Sequence, residues 1–319
     1  MKQTLLAPWL HSAKANLVRQ KCEESLPHAL LILGRDGGGQ HELAQLNVKD
    51  ILCQNLSLDG ACGHCHSCHL VEAGTHPDFH LLDGREETIK IDSVRNVLKK
   101  VANKPQIGSA KLVWIAQAAS MNINSANSIL KALEEPPSET FFLLTSDANA
   151  QILPTIRSRC VLISLPTPSH DEAIYWLEQQ KELSDFADLF WISEEPFTLR
   201  QLIQTDKASI YTNLPSQLAD YLEGHTSVNE ILASFDVKNS HDFIKGLLRL
   251  MQQCICYSTG RDLPNIDTLH RVCNLLLERL GIHKIMDAFQ RLQVLIANTM
   301  RTNLNMHTQI KAELVFLLK

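Results

Sequence analysis

The sequence predicts an α/β domain built on a parallel sheet covered by helices, followed by a small helical region and a larger all-α region. Three observations carry this reading. Short apolar runs alternate with helix-period segments as far as Leu165, the first run ends in a glycine-rich turn, and strand-like patterning stops after Leu165-Pro-Thr-Pro168.

Taken in order, Ala29-Leu-Leu-Ile-Leu33 is the first strand, Gly34-Arg-Asp-Gly-Gly-Gly39 the loop, and the helical spacing of Leu43, Leu46 and Ile51 the first helix behind it. Further strands are expected at Asp78 to Leu82, Lys111 to Ile115, Thr140 to Thr145 and Cys160 to Leu165. Helices are expected around Ile91 to Val101 and Asn124 to Glu135. Beyond the proline pair, helical patterns run over Ser169 to Gln180, Ser184 to Trp191 and Thr198 to Gln204. From Ser209 to Lys319 apolar residues keep helical spacing, as in Phe243, Leu247, Leu250 and Met251, or Ile285, Phe289, Leu292 and Ile296. The expected divisions are 1–166, 167–208 and 209–319.

Composition bounds the function. The 319 residues are 45% hydrophobic and 20% charged, which excludes a disordered or fibrous chain. A net charge of −5 supplies no bulk positive field, so any contact with nucleic acid must be local. No apolar run approaches the ~18 residues of a membrane span, and Pro8 interrupts the first segment with no small-residue cleavage site behind it. The expectation is a soluble, cytoplasmic protein with no membrane partner.

Strand, glycine-rich loop and helix is how a phosphate-binding loop is built, because backbone N–H groups and a helix N-terminus cradle an anion. Gly34, Gly37, Gly38 and Gly39 provide that frame, and a plain tight turn is the alternative. A working loop ends in Lys-[Ser/Thr], for the outer phosphates and magnesium; here Gln40-His41 follows Gly39. The strand Lys111–Ile115 should deliver a magnesium-binding Asp and a water-activating Glu, but Ala116-Gln-Ala-Ala119 stands there. Loop, metal ligand and base all lack their chemistry.

Four of the nine cysteines, Cys53, Cys62, Cys65 and Cys68, fall within 16 residues at x8, x2 and x2 spacing. Without a secretion signal this points to a metal before disulfides, and four thiolates suit one tetrahedral ion. Unliganded thiols and an iron–sulfur cluster remain alternatives, although the Cys-Pro partner of a ferredoxin-like run is absent. The neighbouring His64, His66 and His69 are expected to face solvent or to support ligands. Arg159 in Ser158-Arg159-Cys160 reads by itself as a surface ion-pair residue. Lys90, Arg95, Lys99, Lys100 and Lys104 read as the solvated face of a helix starting near Asp92.

Asn127-Ser-Ile-Leu-Lys-Ala-Leu-Glu-Glu-Pro-Pro137, then Thr140-Phe-Phe-Leu-Leu-Thr145, then Thr155-Ile-Arg-Ser-Arg-Cys160 closely resemble the signature of clamp-loader ATPases of the AAA+ class. The resemblance is strong over Pro27 to Leu165, weaker through the small helical region, and rests on helical character thereafter. The missing lysine and acidic pair make the chain similar to a non-hydrolysing subunit of the bacterial DNA polymerase III clamp loader rather than to the ATP-hydrolysing gamma/tau subunit. Cys62 to Cys68 and Ala73-Gly-Thr-His-Pro-Asp78 suit that subunit.

The resemblance implies a RecA-like AAA+ module with a zinc-binding insertion, a helical lid and an oligomerisation collar, over the three divisions given above. It implies no functional ATP site and no intrinsic ATPase or polymerase activity. One structural zinc held by Cys53, Cys62, Cys65 and Cys68 is implied, since four protein ligands leave no open position. Arg159 would be an arginine finger projecting into the ATP site of the adjacent subunit. Arg95 would be a contact to primer–template DNA inside the subunit spiral, and Lys131 and Glu134 structural or inter-subunit groups. Thr145 matches the nucleotide-sensing position, where without nucleotide chemistry packing is the role left to it. The family's Gly-Ser-x-Arg lid turn is replaced near Glu195-Pro-Phe-Thr198, with Arg200 out of register, so no second sensor is carried over. The implied partners are the gamma/tau and delta subunits and, through the complex, the sliding clamp and primed DNA. An active nucleotide hydrolase and a zinc protein binding DNA alone are the rival readings; the lost residues argue against the first, the net charge against the second.

Overall fold

The computed structural model of the chain describes residues 6–85, 87–179, 189–193, 195–205, 207–299 and 306–317. Two compact units are present, Met1–Trp176 and Leu177–Lys319.

In the first unit α1 (His11–Cys22) precedes β1 (Ala29–Gly34), α2 (Gln40–Leu52) and α3 (His66–Glu72). There follow β2 (Phe79–Asp83), α4 (Ile91–Val101), β3 (Lys111–Ala116), α5 (Ile123–Glu134), β4 (Thr140–Asp147), α6 (Pro154–Arg157), β5 (Val161–Ser164) and α7 (His170–Gln179), within which the first unit ends. The five strands form one parallel sheet in the order β2-β3-β4-β1-β5. Helices cover both faces, which is why β1 and β3 are buried along their whole length and read as unbroken apolar runs. One layer packs Leu31, Val113, Ile115, Phe142 and Leu144 with Val94, Ala126 and Ile129 of α4 and α5. The other packs Leu30, Ile32, Leu112, Trp114 and Leu143 with Leu43, Val48 and Ile51 of α2 and Leu17 of α1.

This topology places β1 between β4 and β5, so the carboxyl end of β1 opens at the switch point where open α/β sheets bind ligands. The loop Gly34–Gly39 lies there. Helix α5 begins with the Asn122 side chain accepting from Ser125 N–H at 2.9 Å and stops before Pro136-Pro137, whose rings cannot continue a helix. Helix α4 is tied to the sheet by Lys111, a buried cation at the start of β3. Its Nζ donates to Val101 O at 2.7 Å and to Asn103 O, so the positive charge sits on the helix's carbonyl end.

In the second unit the described helices are α8 (Pro196–Gln204), α9 (Ala208–Glu223), α10 (Val228–Ala233), α11 (Ser240–Ser258), α12 (Asp267–Thr299) and α13 (Met306–Phe316). Helix α12 is broken at Gly281, whose φ of +70° a side chain would disfavour. Phe243, Leu247, Leu250 and Met251 are all buried, as are Ile285 and Leu292, while Phe289 and Ile296 are half-buried. Helix α11 lies close on α9 because Gly246 has no side chain; a Cβ there would meet Leu214 Cδ2 at 2.7 Å. The Tyr221 hydroxyl donates to Leu314 O at 2.9 Å and ties α13 to α9. The helix expected over Ser184 to Trp191 lies outside the described residues except for its last three, which form a turn. Helices α1, α3 and α6 had no clear sequence signal, being short or, for α1, weakly amphipathic.

Candidate functional site

At the end of β1, Gly37 and Gly39 adopt φ of +78° and +110°, the left-handed turn that brings the loop onto the N-terminus of α2. The Trp9 indole donates to Gly38 O at 2.8 Å, so the loop is tied to the segment before α1. Trp9 packs edge-on against Trp176 at 5.6 Å. Gln40, where a working loop carries its lysine, is 1% exposed and uncharged.

His41, in the hydroxyl position, faces the end of β4. Its Nδ1 lies 3.1 Å from Thr145 Oγ1, and the Trp114 indole donates to the same oxygen at 3.3 Å. The indole can only donate, so Thr145 accepts from it, and the same hydroxyl shares a second hydrogen bond with His41 Nδ1. Burial first, then the Arg85 cation, push His41 down to about 4, with Asp83 opposing, so the ring is neutral. Asp83 holds Arg85 at 2.5 Å and is itself kept below the usual carboxylate range by that bond. Thr145 is therefore bonded within the chain and does more than pack, which corrects the sequence expectation. The periodicity of β4 carried no sign of a partner on α2. Beyond β3 the chain turns through Gln117 at φ +57°, and no carboxylate stands at Ala116 to Ala119.

Arg159 follows α6 and is partly exposed. Its Nε donates to Glu134 Oε1 at 2.6 Å and its Nη2 to the same oxygen, while Nη1 donates to Thr155 O at 2.8 Å and Ser158 Oγ at 3.3 Å.

The four cysteines converge. Cys53 follows α2, Cys62 lies in the connecting loop, Cys65 caps α3 and Cys68 is in its first turn. Their Sγ atoms all lie within 4.8 Å of one another, Cys53 to Cys62 at 3.6 Å and Cys53 to Cys65 at 4.0 Å. All are thiols. Sulfurs about 2.3 Å from a tetrahedral ion stand about 3.8 Å apart, so the group fits one zinc ion. Backbone N–H groups of Cys62 and Cys68 donate to Cys53 Sγ at 3.3 Å and Cys65 Sγ at 3.4 Å. At Cys65 burial works upward, but the N–H groups of Cys68 and Gln54 and the adjoining thiols bring it down to about 6. His64, His66 and His69 are exposed and outside the sulfur group.

Beneath the cysteines lies a network that their spacing did not announce. His76 Nδ1 accepts from Asp78 N–H at 3.1 Å, so its Nε2 carries the proton and donates to Ser67 Oγ at 2.8 Å; that hydroxyl donates to Leu52 O at 2.6 Å. Asp78 accepts from Gln106 and Ile107 N–H at 2.8 and 2.7 Å, joining the cysteine-bearing segment to the loop before β3. Arg95 is exposed on α4 together with Lys99 and Lys100; Lys90 precedes the helix and Lys104 follows it.

A family model described as DNA polymerase III, delta subunit, matches residues 10–169. The delta-prime subunit of DNA polymerase III from Yersinia pestis is 33% identical over 263 residues, 79% of this chain and 77% of that protein. The chain belongs to the DNA polymerase III delta-prime subunit family. Delta-prime subunits from Escherichia coli and Pseudomonas aeruginosa are 38% and 41% identical, over 56% and 47% of this chain. Those matches span 54% and 46% of the relatives, about half their length. The fold extends to a DNA polymerase III gamma subunit-related protein from Thermotoga maritima, with a TM-score of 0.52, 16% identity, and 96% and 98% of the two chains covered. The α/β AAA+ fold with a C-terminal helical region is thus that of a delta-prime family member. Among the described residues no helix is long and apolar enough to cross a membrane.

Proposed function

We propose that this chain acts as a non-hydrolysing subunit of the DNA polymerase III clamp loader, helping to load the sliding clamp onto primed DNA and lending Arg159 to the ATP site of a neighbouring subunit. The observation that carries the reading is the hydrogen bond between Thr145 and His41. The polar residue at the end of β4 is bonded to the helix that should hold magnesium, and a neutral imidazole stands where a hydroxyl ligand belongs. An arginine that precedes β5, at the opposite end of the parallel sheet from a phosphate loop without phosphoryl-transfer chemistry, is best used across an interface, where a planar cation stabilises charge on the transferred group.

The four cysteines hold one structural zinc that shapes the insertion after α2. Arg95 contributes a phosphate contact when DNA enters the assembly. Residues 1–166 are the AAA+ module, 167–208 its lid, and 209–319 a collar for the gamma/tau and delta partners. The working compartment is the cytoplasm.

Two measurements test this. The isolated chain should show no magnesium-dependent ATP turnover, even with Gln40→Lys and His41→Thr together, because Ala116 and Gln117 supply neither metal ligand nor base. In a reconstituted complex, Arg159→Ala should assemble normally and slow hydrolysis at the site it serves by on the order of 10³-fold or more. Turnover by the isolated chain, or unchanged rates in the assembled variant, would overturn the corresponding half of the proposal.

A further inference from the structure

We infer that Glu134 is a positioning residue for Arg159, anchoring one edge of its guanidinium so that the other edge is presented to a phosphoryl group across the subunit interface; this rests on the arginine-finger reading above. Glu134 is the last residue of α5, where a carboxylate meets the negative end of the helix dipole, so the helix gains nothing from it. The pair is also a poor stabiliser of the fold: the Arg159 side chain is 30% and Glu134 49% exposed, and ion pairs of that kind contribute little. What the carboxylate does is restrict a long cationic side chain.

The guanidinium has five N–H hydrogens and makes four hydrogen bonds within the chain. Glu134 takes the lateral edge through Nε and Nη2, and the Thr155 carbonyl, in the short helix α6, takes Nη1. The second Nη2 hydrogen and the long Nη1 contact to Ser158 Oγ at 3.3 Å are what remain for a phosphoryl group. A fork presented end-on fits two phosphoryl oxygens, and holding it there in advance removes the rotamer freedom that would otherwise be lost in the transition state. The base of the carboxylate is equally constrained, since Pro136-Pro137 end α5 directly behind it.

The test uses clamp-loader complexes in which only the ATP site facing this chain can hydrolyse. They carry the native chain, Glu134→Ala, Glu134→Gln, Arg159→Ala or the Glu134→Ala/Arg159→Ala pair. Glu134→Ala should lower kcat about 10- to 100-fold with KM for ATP unchanged, the signature of a group aligned for the transition state. Glu134→Gln, which keeps an acceptor oxygen, should recover part of that loss and carries the test if the alanine variant assembles poorly. The double variant should be no slower than Arg159→Ala. Native or faster rates for both Glu134 variants beside a slow Arg159→Ala, or losses that multiply in the double variant, would overturn the role of Glu134 and leave the finger standing. An unaffected Arg159→Ala complex would overturn both.

Discussion

Thr145 Oγ1 and His41 Nδ1 lie 3.1 Å apart, joining the end of β4 to the first turn of α2 at the mouth of the phosphate loop. The Trp114 indole donates to the same hydroxyl, so the threonine links β3, β4 and α2. Protonating His41 would bury a positive charge in a largely desolvated site next to the Arg85 cation.

This gives a pH dependence with a definite sign. His41 titrates near 6.5 when unfolded and at about 4 when folded, so between those values the unfolded chain binds more protons. The contribution of His41 is complete above pH 6.5 and is lost progressively as the pH falls towards 4. Urea unfolding at pH 7 and pH 5 should show His41→Gln losing less stability across that interval than the native chain. An identical loss in both would exclude His41 as a source.

Elemental analysis should find one equivalent of zinc and no visible colour, since zinc has no d–d or charge-transfer bands there. Cys65→Ser should lose the metal and unfold the cysteine-bearing segment, because a four-thiolate site couples binding to local folding. Iron with sulfide, or full zinc retention by the serine variant, would contradict the four-thiolate assignment.

Lys111→Met keeps most of the buried volume but strips the donor from Val101 O and Asn103 O at the end of α4. Leaving these carbonyls unmatched should cost about 2–4 kcal/mol, read as a lower denaturation midpoint at constant m. A midpoint within error of the native chain would show that water replaces the ammonium there.

If α4 meets DNA in the assembly, Arg95→Ala should weaken binding about equally for all sequences and reduce the slope of log K against log salt by about 0.9. The readout is the salt dependence of primer–template binding by the assembled complex, and an unaltered slope would return Arg95 to a solvated helix face.

The sequence by itself determined the sheet, its parallel character and the chemistry that is absent. Burial on both faces of a parallel sheet demands continuous apolar runs, and a lysine, hydroxyl or carboxylate missing from a motif position is missing in any fold. It also determined that four cysteines could meet, because the x2 spacing of Cys62, Cys65 and Cys68 brings sulfurs together locally. Only the tertiary structure decided the partners. His41 and Thr145 are 104 residues apart, Trp114 and Thr145 31, and Glu134 and Arg159 25. Local periodicity records which face of an element is buried, whereas which polar side chains meet depends on strand order and register, and these arise only when the whole sheet closes around its core.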